Sequence, residues 1–161
     1  MTPGAGDRFA LGDIILTFLA DPIDDGNLND SSLAFMVDHG EKSFLFTGDA
    51  EEALEKAIIG SSIDLKCDVY KAGHHGSRTA SSKELLLCAL PDSCVISCGM
   101  GNPYFHPHAS TLNKLRKAGI DTYRTDEQGT VIATSDGEDI RFNCSPSTTW
   151  KAGEGEGDTV H

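Results

Sequence analysis

Cys67-Asp68-Val69-Tyr70-Lys71-Ala72-Gly73-His74-His75-Gly76-Ser77 is the stretch on which the fold turns. Residues 67–71 have the composition of a short strand, and that strand runs directly into a pair of adjacent histidines flanked by glycines. On its N-terminal side, Ser43–Thr47 is a second apolar run, closed by Gly48-Asp49 and followed by Ala50–Ile59. There Glu51, Glu52 and Glu55 come early and Leu54 and Ile58 share one side, which predicts a helix whose first-turn carboxylates suit its dipole. On its C-terminal side, Ser81 or Ser82 can cap a helix that reaches Leu90 and stops at Pro91. Strand, helix, strand, helix is the alternation of an α/β protein.

The same reading extends to both ends. Asp13–Leu19 and Ser32–Val37 are predicted strands, joined by the polar loop Ala20–Asp30, and Asp38–Lys42, which includes His39, is read as a hairpin connection. Ser93–Ser97 is a strand entering the loop Gly99–Pro107, and a helix opened by Ser110 and ended by Gly119 follows. Thr122–Arg124, Thr130–Thr134 and Asp139–Phe142 are short closing strands with turns at Gln128-Gly129 and Asp136-Gly137. Residues 1–144 are expected to form the domain and residues 145–161, rich in Ser, Thr, Gly and Glu, a flexible tail.

With 161 residues, 39% hydrophobic and 24% charged, the chain can build an ordinary core, and disorder across its length is excluded. Its longest apolar run, Leu85–Leu90, is far short of the ~20 residues of a membrane-spanning helix. Met1–Gly12 lacks the basic and apolar order of a secretion signal. Five cysteines, none in a CxxC pair, fit a reducing compartment better than a disulfide framework. The net charge of −12 speaks against coating nucleic acid by bulk charge. That charge is uneven, because residues 1–55 hold twelve acidic and two basic side chains whereas residues 66–124 hold four acidic and eight basic ones with four histidines. The second stretch is either a focused site for an anion or an ordinary solvated face.

Three places could carry chemistry. Asp49, presented after a glycine at a strand end, can bind a cation or cap the following helix. His74 and His75 can supply an imidazole to a metal while the neighbour supports it or meets substrate. His106 and His108, stiffened by Pro107, can bind phosphate, move a proton or face solvent. Asp49 and one of His74 and His75, each at a strand end with one helix between, can converge on one metal-bearing edge.

SSLAF, SFLFTGD, CDVYKAGHHGSRTASS and NPYFHPHASTLNKLRKAGIDTYRTDEQGTV, in this order, resemble the metallo-β-lactamase-like domain of ComEC-type DNA-uptake (competence) proteins from about Leu11 to about Phe142. The resemblance implies an αβ/βα sandwich whose site holds two metal ions, zinc or manganese, and hydrolyses esters or phosphodiesters such as DNA. It implies that Asp49 bridges the metals, that His74 or His75 is a ligand of the second, and that His106 and His108 lie beside them. Asp49, His75 and His108 are then expected to carry catalysis, and Lys71, Ser77, Arg78, His106 and His108 to receive the anionic substrate. The HxHxDH motif of the family is absent, and Phe105 stands where relatives often have glycine. The chain is therefore expected to hold only the C-terminal half of the sandwich, to bind metal weakly and hydrolyse little alone, and to expose an apolar sheet face. That face would meet the missing N-terminal half-domain of a parent protein, itself expected to carry membrane domains, or a second copy in a homodimer. The alternatives are a non-catalytic module for nucleic acid or protein, and a hydrolase of small esters such as phosphorylcholine esters.

Overall fold

A computed structural model describes residues 3–24 and 26–153. It contains a seven-stranded mixed sheet in the order β1 (Arg8–Leu11), β2 (Ile14–Phe18), β3 (Phe35–His39), β4 (Lys42–Phe46), β5 (Val69–Lys71), β6 (Ser93–Ile96) and β7 (Asp121–Arg124). The first four strands run antiparallel to their neighbours, and β4 to β7 run parallel. Three helices make the parallel crossovers: α1 (Glu52–Gly60), α2 (Lys83–Ala89) and α3 (Ala109–Ala118). Each crossover advances to the next strand in the same direction, so right-handed connections place all three helices on one face. The chain is an α/β protein.

The register explains the core. Met36, Leu45, Tyr70, Cys94 and Thr122 are successive cross-strand partners on the helix-bearing face, and all are buried. Leu54 and Ile58 of α1, Leu85, Leu86 and Ala89 of α2, and Leu112 and Leu115 of α3 close over them in one cluster. The opposite face carries Phe9, Phe18, Phe35 and Phe46, whose rings form a ladder across four strands with centroids 5.7, 5.8 and 5.1 Å apart. Toward β7 this face is covered by a hairpin of β8 (Ala133–Ser135) and β9 (Ile140–Phe142): Phe142 stacks on Tyr123 at 3.9 Å, and Glu41 N donates to Gly137 O at the β3–β4 turn. At β1 it is open, with Phe9 and Leu11 exposed.

Several expectations change. His39 lies in β3 and bonds to Ser135 Oγ rather than sitting in a turn, because His39 pairs with Lys42 and only Gly40-Glu41 turns the hairpin. The first predicted hairpin strand shifts to Phe35–His39, and the strand expected at Thr130–Thr134 forms at Ala133–Ser135. Arg8–Leu11 adds an edge strand, and Thr125–Gln128 is a short helix, α4, ended by Gly129. α3 starts at Ala109 after His108, not at Ser110. Ser82 does cap α2, accepting from Leu85 N. Residues 145–153 hydrogen-bond back to the domain: Ser147 N donates to Thr122 O, Lys151 O accepts from the buried Arg124, and Gly153 N donates to Pro107 O. Residues 154–161 of the expected tail lie outside the described residues. No helix among the described residues is long and apolar enough to cross a membrane.

Candidate functional site

Parallel strands end on one edge, and the loops that leave β4, β5 and β6 meet there. Leaving β4, Gly48 takes φ +58°, and a Cβ on it would come within 2.8 Å of Ser32 Cβ. Ser32 Oγ accepts from Asp49 N at 3.0 Å. Asp49 does not cap α1. The carboxylate of buried Asp30 does so instead, accepting from Glu51 N and Leu54 N, which leaves the Asp49 side chain half-exposed at the sheet edge.

Leaving β5, the chain is pinned from three sides. Gly73 N donates to the hydroxyl of fully buried Tyr70 at 2.9 Å, His74 N to Gly48 O, and His108 N to Gly76 O. Between these anchors His74 (φ 45°, ψ 46°) and His75 (φ 55°, ψ 26°) are both left-handed. Two consecutive non-glycine residues in that region carry about 1–2 kcal/mol of strain each, which persists because the anchors over-determine the turn.

The strain aims both rings. His75 Nδ1 donates to Ser97 O at 2.8 Å, which leaves Nε2 on the open side of the ring, 3.5 Å from Asp49 Oδ1. His74 Nδ1 lies 3.2 Å from Glu51 Oε1. Burial would raise Glu51, but hydrogen bonds from Thr79, Asn27 and Asn29 and the neighbouring His74 hold it below the usual carboxylate range. With a carboxylate at Nδ1, His74 also turns Nε2 to the open side of its ring. A ring whose Nδ1–H is tied to an oxygen is the arrangement that readies imidazole Nε2 for a metal.

His106 and His108 complete the cluster. Both are buried, with ring centroids 4.8 Å apart, and His106 lies 5.6 Å from His74 and 6.4 Å from His75. Burial, then the charges of His108, His74 and His75, push His106 down to about 4, so it is neutral near pH 7. His108 Nδ1 accepts from Arg78 N at 3.0 Å, which puts its ring proton on Nε2. Lys71 donates to Ala72 O, and burial holds its ammonium below the ordinary lysine value against the pull of Cys94 and Asp49. Ser77 points inward, its hydroxyl on Thr79 and its carbonyl on Thr111. Arg78 is exposed and, among the described residues, in no ion pair. Cys67 and Cys94 are buried thiols, each pushed up to about 12 by burial and unsuited to metal binding as thiolates.

The structure thus brings Asp49, His74, His75, His106 and His108 together and turns Ser77 away. Sequence reasoning missed Glu51, Asp30 and Ser32. Their partners lie 17 to 24 residues away or act through the folded turn, so no local pattern announces them. As a metal site, the donor chemistry fits: an exposed carboxylate and two imidazoles whose Nε2 atoms face outward. The donor number falls short, since among the described residues no three such groups stand close enough to hold an ion.

No family model matches the chain. It is 36% identical over 108 residues, 67% of its length and 14% of the relative's, to ComE operon protein 3 of Bacillus subtilis. It is 37% identical over 105 residues, 65% of its length, to Recombination protein 2 of Haemophilus influenzae, and 36% over 104 residues, 64%, to Competence protein ComA of Neisseria gonorrhoeae. It spans 12% and 15% of those two. Over about two thirds of its length, the chain is a homologue of a segment of the ComEC-type competence proteins.

Proposed function

We propose that this chain is part of a metal-dependent phosphodiesterase that acts on DNA in competence, and that it supplies the C-terminal half of the metal site. The observation that carries the reading is the alignment of Asp49 with His75 and of Glu51 with His74 at one sheet edge. Asp49 and the Nε2 atoms of His75 and His74 are the donors this chain would contribute to zinc or manganese, and they do not by themselves complete a site. Such an ion, when bound, polarises a phosphoryl oxygen and activates water. Lys71 and Arg78 bring positive charge to a phosphodiester beside the cluster. His108, with its proton on Nε2, can donate to a leaving oxygen, and neutral His106 keeps the imidazoles from repelling one another or a cation. The remaining ligands come from outside this segment, so binding by the chain alone is weak.

Calorimetric titration with Zn²⁺ and Mn²⁺ tests the assignment. Weak binding is expected that Asp49→Ala and His75→Ala each abolish and His39→Ala leaves unchanged. Absence of binding with either metal, or binding that survives both site variants, overturns it. The shortfall in donors favours a second reading, a module that binds nucleic acid or protein without hydrolysis. In that case oligonucleotide affinity is indifferent to metal and to Asp49→Ala.

The open end of the phenylalanine ladder is proposed as the surface that the rest of the parent protein covers. In isolation it is expected to pair with a second copy. Light scattering then gives a dimer for the wild type and a monomer when Phe9 and Leu11 are both changed to serine. A wild-type monomer at every concentration overturns this assignment of the face.

A further inference from the structure

The loop Gly99–Pro107 stands at the mouth of the histidine cluster and exposes Met100, Tyr104 and Phe105. Its shape is fixed by one side chain. Asn102 Nδ2 donates to Gly99 O at 2.8 Å and to His106 O at 2.7 Å, while Asn102 Oδ1 accepts from Tyr104 N at 3.2 Å and His106 N at 3.0 Å. Both donor hydrogens and both acceptor directions of the amide are used. Gly153 N holds the far side of the loop through Pro107 O. In this clamp the Tyr104 ring lies against that of His106, centroids 5.8 Å apart and planes 26° from parallel. His106 is 6% exposed and Tyr104 70%, so one side of the tyrosine rests on a buried ring and the rest faces solvent. The adjacent Phe105 is driven into a left-handed conformation, φ 59°, with its ring still 45% exposed.

Tyr104 and Phe105 thus hold large parts of two rings outside the core, Phe105 in a backbone conformation that non-glycine residues rarely adopt. A rigid aromatic surface beside groups suited to a phosphodiester does suit a planar heterocycle. We infer that Tyr104, seated on His106, is a stacking subsite for a nucleobase next to the phosphate that Lys71 and Arg78 attract. This rests on the phosphodiester reading above and deepens it, since it makes the substrate a strand whose bases are unpaired. A duplex keeps its base faces covered, whereas a single strand offers every one to stack on an aromatic side chain.

Fluorescence anisotropy with two labelled oligomers of about ten units separates the claims. One is oligothymidylate and the other an abasic deoxyribose-phosphate chain. Tyr104→Ala is expected to weaken oligothymidylate binding about tenfold and to leave the abasic chain unchanged. Tyr104→Phe, which keeps the ring, is expected to match the wild type. Unchanged thymidylate affinity in Tyr104→Ala, or equal losses on both oligomers, overturns the stacking subsite while leaving the phosphodiester reading in place. Failure of the wild type to bind either oligomer overturns both. The residue is exposed, so its replacement leaves the fold intact, and thermal melting of both variants verifies this.

Discussion

Glu55→Ala is expected to destabilise the chain by about 3 kcal/mol, because a buried backbone N–H and a part-buried one lose their acceptor at once. The Glu55 side chain leaves α1, is 1% exposed, and accepts from Ser81 N at 2.6 Å and Ser82 N at 2.9 Å. It thereby fixes the residues from which α2 starts. Glu55→Gln keeps one acceptor and sets an amide NH₂ against the other N–H, so it should lose roughly half as much. Chemical denaturation measures both, and the alanine variant's Tm should fall on the order of 10 °C. The pH dependence has a definite sign. Burial raises Glu55 above its ordinary 4.5, against the opposing hydrogen bonds of Ser82 and Ser81 and the charge of Lys114. A carboxyl whose folded value is raised stabilises fully below its unfolded value, and that part is lost as pH climbs through the folded one. The gap between wild type and Glu55→Ala should therefore be wider at about pH 4 than at about pH 7. A gap that widens toward neutrality would mean that the two N–H bonds outweigh burial and that Glu55 is ionised at lower pH than burial dictates.

Glu55 also shows where sequence reasoning stops. Its position in the first turn of a helix reads as a solvent-facing partner of the dipole, which describes Glu52, paired with Lys56, well enough. Nothing local distinguishes Glu55, whose partners are 26 and 27 residues away. The parallel strands were legible because apolar runs ending in Gly-Asp or Gly-His-His mark both the strand and its exit. β1 was not, since Arg8–Leu11 is an exposed edge strand in which all four residues are exposed, and burial imposes no pattern on it. For the candidate site, residue types located Asp49 and the histidines. Their roles depended on Asp30, which takes the helix cap and frees Asp49, and on Ser97 O and Glu51, which choose the ring nitrogen. Those choices are made by contacts across the sheet edge. Phe105 is intermediate: the sequence shows a large side chain in a polar loop, and only the backbone, φ 59°, shows that it takes a conformation glycine favours.

The second large effect is expected from Tyr70→Phe, which removes one oxygen from beneath the histidine turn. Tyr70 is fully buried, and burial drives its phenol well above the ordinary value, so the hydroxyl is permanently protonated. It accepts from Gly73 N at 2.9 Å and pairs with Ser81 Oγ at 3.0 Å. A Cβ on Gly73 would lie 3.0 Å from Thr47 Oγ1 and 3.2 Å from Tyr70 Oη, so the turn sits directly on these hydroxyls with little room for water to replace one. Losing it orphans Gly73 N–H and one Ser81 bond, a loss of about 2 kcal/mol. The strained pair His74-His75 depends on its anchors, so part of this should appear locally rather than globally. Amide exchange at Gly73 to Gly76 is then expected to accelerate more than exchange in β6, and the weak metal binding to fall although no ligand has been touched. If exchange rises equally in both places and metal binding is unchanged, the turn is held by His74 N on Gly48 O and His108 N on Gly76 O alone. The phenol would then support the core and not the geometry of the imidazoles.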